Sequence, residues 1–215
     1  LSLAKAIEKS AQKRGARFIY NIQINSLAEF KEFDKIICTL PTHLFSKISG
    51  LHYPSLPGLG AVNLVLALKK QFLRDGTYWL NINDRQIPFI CVAEHTNFID
   101  KSHYGGDHIL YIGNYLPGDH KYFTYTNNQL LTEFFPFLQR INPRFNKSWI
   151  RKSWVWTAPF AQPVVLLGHS RLIPPLTTSI PNVYLANIQQ VYPWDRGTNY
   201  AVELGVKVAN LCTKD

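Results

Sequence analysis

PNVYLAN (181–187), then a loop, then GTNYAVELG (197–205) is the stretch on which the fold turns. The first run is short, apolar and β-branched, and it reads as a strand. The loop Tyr192-Pro193-Trp194-Asp195-Arg196-Gly197 follows. Thr198–Leu211 then reads as a helix, with Ala201, Val202, Leu204, Gly205, Val208, Ala209 and Leu211 as its apolar stripe. A strand that feeds a helix N-terminus leaves first-turn amides pointing outward without helical acceptors. Gly197 lets a ligand approach the backbone, Thr198 or Asn199 is placed to cap, and Arg196 adds positive charge. Such an end can hold a phosphate or an electron-rich ring edge. An ordinary capped helix after a turn has the same spacing.

Outward from that stretch, the front of the chain reads as helix, strand, strand. Leu1–Arg14 spaces Leu3, Ala6, Ile7 and Ala11 helically, and Gly15 supplies the stop. RFIYNIQI (17–24) alternates and predicts a strand. Phe33–Leu40 predicts a second strand, ended by Pro41. The middle changes character. Residues 61–72, 77–84, 88–98 and 108–116 are four strand-like runs separated by turn residues, which predicts a mainly antiparallel sheet. Asn127 or Asn128 is placed to cap a helix through about Phe135; Pro136 kinks or ends it, and Asn142-Pro143 ends any continuation. WIRKSWVWT (149–157) returns to strand, and VVLLG (164–168) fits no one type. The fold class is therefore α+β.

The chain has 215 residues, 46% hydrophobic and 17% charged, so it buries a sizeable core rather than remaining disordered. The formal net charge of +9 attracts anions, but the basic residues are scattered, with only pairs such as Lys13-Arg14 and Lys69-Lys70. No run of five resembles a nucleic-acid arm, so no nucleic-acid partner is expected. No stretch approaches the ~20 apolar residues of a membrane-spanning helix. Three widely spaced cysteines, Cys38, Cys91 and Cys212, form neither a disulfide framework nor a CxxC pair. Cys38 and Cys91 sit in apolar runs and are expected as buried thiols, in a reducing, cytoplasmic setting. Methionine is absent even at position 1, so either an initiator was removed or the chain is a piece of a longer protein.

Seven histidines offer candidate chemistry. His103, Asp107, His108, Asp119 and His120 are metal-ligand types without a closed zinc spacing, and no metal is expected. Glu94-His95 is a candidate acid/base pair, but adjacent strand residues face opposite sides and share a cleft only if the strand bulges, so a polar strand end is the favoured reading. GxSxG, HExxH and P-loop signatures are missing. GxGxxG is missing too, since Gly58-Leu-Gly60 leads into a strand.

Taken in order, these elements resemble the C-terminal portion of the flavin-containing amine oxidoreductase superfamily, which includes monoamine oxidases, protoporphyrinogen oxidases and phytoene-desaturase-like enzymes. The terminal strand and GTNYAVELG carry most of the likeness. Leu3–Gly15, Arg17–Leu27, Asp34–Pro41 and Trp156–Pro163 resemble, in turn, its helix, adenine-contacting strand, "D-x-V-x-x-x-P" strand and "W…A-x-P" run. The resemblance covers nearly the whole chain, as the second half of the family's length.

The resemblance implies that residues 1–45 and 160–215 are part of a Rossmann-like FAD-binding domain whose N-terminal GxGxxG segment lies outside this chain, and that 46–159 is an antiparallel substrate-binding domain. It implies FAD as cofactor, with Ile24, Pro41, Asn187, Arg196, Gly197, Thr198 and Asn199 toward it. The helix opening at Thr198 would face the flavin's electron-rich edge. Asn187 stands where the family usually has an acidic residue, Asn63 where amine oxidases carry a lysine, and Gly197 where they carry a cage aromatic. Simple amine oxidation is therefore not implied. No catalytic residue is assigned. A small-molecule substrate would lie against Asn63, Trp79, Trp154 and Trp156, with Tyr111 and Tyr115 nearby. The chief alternative is a non-catalytic module that binds a ligand on its aromatic-lined sheet.

Overall fold

A computed structural model describes Ser2–Thr213; Leu1, Lys214 and Asp215 lie outside the described residues. The elements run α1 (Ser2–Lys13), β1 (Ile36–Cys38), α2 (Thr42–Ser49), β2 (Gly58–Leu68), β3 (Trp79–Asn81), β4 (Cys91–Glu94), β5 (His108–Leu116), α3 (Asn127–Ile141), β6 (Ile150–Pro163), β7 (Val183–Leu185) and α4 (Thr198–Cys212), joined by 3-10 turns. The protein is α+β, and the chain divides into two units. One holds residues 1–54, 174–191 and 197–215, the other 55–173 and 192–196.

The larger unit is a five-stranded antiparallel sheet in the order β3-β4-β5-β2-β6. Its core follows from the period-two pattern of β2. Val62, Leu64, Leu66 and Leu68 point to one face and are fully buried. Leu130, Phe134 and Leu138 of α3 lie in the same core, with Phe72, Phe89, Ile112 and Phe145. Phe89 meets Phe134 at 5.0 Å between centroids, and Phe72 meets Phe145 edge-on at 5.2 Å.

Of the two outcomes expected at Pro136, an end or a continuation as far as Asn142-Pro143, the helix takes the second: it runs to Ile141 with Asn142 as its C-cap. The proline is exposed, and the buried stripe on either side of it, Phe134 and Leu138, holds the next turn in place. The expected N-cap is corrected: it is Thr126, in a reciprocal capping box with Gln129. Asn127, freed from capping, donates to the Ser153 carbonyl and hydroxyl at 2.9 and 2.8 Å.

The smaller unit is built on a parallel pair. β1 and β7 align Ile36 with Val183 and Cys38 with Leu185. Phe45 of α2 packs under them with Cys38, Val183 and Leu185. On the other side Tyr184 and Ala186 receive Val208 of α4, with Leu204 and Leu211 partly buried. The expected stripe of α4 is thus only partly used: Ala201, Val202, Gly205 and Ala209 are exposed. The strand expected over 17–24 does not form. Asn21 takes a left-handed φ of 60° in the middle of the run, which breaks its alternation, and among the described residues no strand pairs with it. Strands 61–72 and 88–98 are also shorter than expected. β2 stops at Leu68, and β4 gives way to a 3-10 turn at His95.

Candidate functional site

In the smaller unit, the strand-to-helix passage ends at Gly197, the N-cap of α4. Its φ of −169° is ordinary extended backbone, and no side chain caps the helix. Neither Thr198 nor Asn199 therefore plays the capping role expected of it. The first helical bond runs from the Ala201 amide to the Gly197 carbonyl at 3.0 Å, so Thr198 and Asn199 amides lie in the turn that has no helical acceptor. Asn199 folds back toward Gly197: a Cβ on Gly197 would sit 2.7 Å from Asn199 Oδ1.

Asn187 has a different setting. It is 4% exposed, and its side chain caps the turn at Ile188–Gln190. Its Nδ2 donates to the Leu40 carbonyl at 2.9 Å and to Thr42 Oγ1 at 3.3 Å. Gln189 Oε1 accepts from the Thr42 amide at 2.7 Å. Asn187 thereby fixes the end of β7 to the β1–α2 junction, where Pro41 is the residue before α2. Ile24 is half-exposed and lines a cavity of about 690 Å³ with Ile22, Phe33, Ile36, Ile37 and Leu44.

The larger unit presents a second surface, the sheet face opposite α3. Cross-strand register fixes its members. Trp79, Ala93, Tyr111, Val65 and Trp154 form one row, and Asn81, Cys91, Gly113, Asn63 and Trp156 the next. Tyr115, Ala61 and Ala158 begin a third. All the aromatics named from sequence thus share one face. Trp156 is 66% exposed and Trp79 52%, while the small residues beneath, Ala93 and Val65, are buried. Asn63 lies across Gly113, whose Cβ, if present, would be 2.8 Å from Asn63 Oδ1. Toward the His108 end, Val65, Ala67 and Ile109 pack under Tyr104.

Arg196, expected at the helix terminus, belongs to this larger unit. Its guanidinium carbon lies 5.1 Å from the Tyr115 ring centroid, and Nη2 donates to the Tyr115 hydroxyl. Its other near neighbour is Asp195, 3.9 Å from Nη1.

Sequence reasoning missed the groups around Tyr111. His95 Nε2 is 2.6 Å from Tyr104 Oη, and the His95 ring stands edge-on to Tyr111 at 5.9 Å. Burial pushes the Tyr111 phenol above its ordinary range, helped by the nearby Tyr104 and Tyr78. Glu94 is the last residue of β4, the polar strand end that was expected, but its burial was not: it is a fully buried acceptor of the Phe72 and Leu73 amides. An acidic residue at a position of core parity was the available signal. Among the described residues no three His, Cys, Asp or Glu side chains gather as metal ligands.

No family model and no curated protein matches the chain. Solved structures do. A protein from Exiguobacterium sp. 255-15 assigned as a protoporphyrinogen oxidase superposes with a TM-score of 0.65 at 15% identity, over 85% of this chain and 42% of that one. An oxidoreductase from Methanosarcina mazei gives 0.55 at 13% identity, over 83% and 43%. Reduced UDP-galactopyranose mutase gives 0.51 at 13% identity, over 65% and 32%.

The chain has part of the flavin amine-oxidase-like fold.

It spans about two fifths of the length of the first of these neighbours. At these identities the flavin amine-oxidase-like likeness is one of fold alone. Among the described residues no helix is long and apolar enough to cross a membrane.

Proposed function

We propose that this chain is part of an FAD-dependent oxidoreductase that passes hydride from a small organic substrate to the flavin. The observation that carries the reading is the passage from β7 to an α4 N-terminus with no side-chain cap, within a flavin amine-oxidase-like fold. The donor chemistry fits: amides of Thr198 and Asn199 and the positive end of a 15-residue helix suit an electron-rich ring edge. FAD, when bound, supplies the hydride acceptor. The helix end favours the negative charge that arrives with the electrons.

In this reading the smaller unit is the incomplete Rossmann-like FAD-binding domain and the larger unit the substrate-binding domain. Gly197, Thr198 and Asn199 face the flavin, Ile24 and Pro41 the nucleotide side, and Asn187 acts as a positioning residue through Leu40 and Thr42. Arg196, held by Tyr115, serves the sheet face instead. A further polypeptide segment, bearing the Gly-rich strand and turn, completes the FAD domain. Support for it comes from the apolar cavity beside β1, lined by Ile22, Ile24 and Ile37. Three free thiols accord with a reducing, cytoplasmic setting. The test is the visible spectrum of the intact protein isolated from its own cells. Flavin bands that bleach on reduction support the reading; a colourless protein that takes up no added FAD removes it.

A further inference from the structure

The larger unit's open face is aromatic, and its strand positions carry no negative charge. The small residues of the face are buried beneath their neighbours, and the Asn63 carboxamide covers Gly113. What remains outward is ring surface: Trp156, Trp154, Trp79 and Tyr111 are all more than a third exposed. A large exposed aromatic surface rimmed by a few polar groups marks a ligand or partner site rather than ordinary solvent-facing sheet.

Charge narrows the occupant. The strand positions of this face carry no carboxylate; their one charged side chain is Lys152, opposite Ala67. At the other end Arg196 lies over Tyr115. Tyr115 is opposite Ala61, and Asn63, two positions along β2, is opposite both Gly113 and Trp156. Guanidinium, phenol and carboxamide therefore gather at one corner, beside an indole. Arg196 spends one N–H on Tyr115; Asp195 Oδ1 accepts from the Arg196 backbone amide at 2.7 Å and stands 3.9 Å from Nη1, too far to hydrogen-bond the guanidinium, whose free N–H groups can take a better-placed anion.

We propose that this face binds a planar, conjugated organic carboxylate, its rings stacked on Trp156 and Trp154 and its carboxylate at the Arg196–Tyr115–Asn63 corner. The proposal names the substrate class for the reading above and rests on the assignment of the larger unit as the substrate-bearing part. Planar rings gain most from a face of exposed aromatic side chains, by dispersion and offset stacking. An ammonium ligand would meet Arg196 and Lys152 with like charge.

Equilibrium dialysis of the 215-residue chain, without flavin, tests this with four probes: 2-naphthoate, 2-naphthylmethylammonium, 2-naphthamide and cyclohexanecarboxylate. Naphthoate should bind one to one, and the ammonium and the saturated acid each at least about tenfold more weakly. Arg196→Gln should weaken naphthoate about tenfold while leaving neutral 2-naphthamide unchanged, and Arg196→Lys should retain most of the affinity. Trp156→Leu, at an exposed position, should weaken the naphthyl probes. Equal or tighter binding of the ammonium, an unchanged Arg196→Gln, or no naphthoate binding overturns the proposal. The flavin reading is judged separately, by the visible spectrum of the intact protein: naphthoate binding to the chain with a flavin-free intact protein retracts only the oxidoreductase reading, and a flavin-bearing intact protein whose chain ignores naphthoate retracts only this one.

Discussion

Glu94 Oε1 lies 3.6 Å from Nδ1 of His108, and the two side chains are pushed in opposite directions by the same burial. Desolvation raises the Glu94 carboxyl above its ordinary 4.5, against the lowering effect of the Leu73 and Phe72 amides. Desolvation, then the Lys101 charge, lowers the His108 imidazole below its ordinary 6.5, against Asp107. The folded state thus favours the neutral form of each.

The pH dependence follows from these directions. Glu94 holds its proton more tightly when folded, so its contribution is greatest below about 4.5 and declines as pH rises toward its raised value. His108 does the reverse: its contribution is complete above about 6.5 and is lost as pH falls toward its lowered value. Urea denaturation from pH 4 to 8 isolates each. Wild-type stability relative to Glu94→Gln should fall with rising pH across the carboxylate window, by at most ~1.4 kcal/mol per pH unit. Relative to His108→Ala it should rise across the imidazole window. Flat differences would contradict the assignment.

Pro136 leaves the fourth carbonyl before it, that of Thr132, without its helical donor. Pro136→Ala should therefore stabilise the larger unit by about 1–2 kcal/mol, less than the full helix-interior penalty because the native helix has adjusted. Phe134→Ala, at a fully buried position on the same helix, should destabilise by about 3–5 kcal/mol. Chemical denaturation reads both.

The history of α3 shows where sequence reading reached and where it stopped. His108–Leu116 was legible to the residue, because glycines precede an alternating run. At Pro136 the local rule left an end and a continuation both open, and the decision rests with Phe134 and Leu138, packed in one core with strand residues far away in sequence. Arg17–Ile24 was misread because alternation supplies a strand's side chains but not its partner, and Asn21 interrupts the extended backbone. The aromatic face was half-legible. Each tryptophan was noticeable alone, but their shared side depends on the β2–β6 register, which shifts between Leu59 and Ala61 and between Ala67 and Leu68. Arg196 over Tyr115 spans 81 positions and leaves no local trace.

Gly113 tests the packing of that face. A methyl group there would press on Asn63 Oδ1 at 2.8 Å and Cys91 Sγ at 3.1 Å. Gly113→Ala should lower stability by about 1–3 kcal/mol, and shortening the neighbour in Gly113→Ala/Asn63→Ala should recover a good part of it. Simple additivity in the double-mutant cycle would show that the two residues do not press on each other.

The most direct test of the flavin assignment is the FAD dissociation constant of the intact protein with Gly197→Asp. The extended φ at Gly197 accepts aspartate, and Asn199 Oδ1, the end of a flexible side chain, can swing away. A carboxylate at the N-cap should stabilise α4 by a few tenths to about 1 kcal/mol while opposing an electron-rich ring edge at the same amides. The account predicts a protein at least as stable as wild type whose FAD affinity falls about tenfold or more. Unchanged FAD affinity in that folded variant would contradict it.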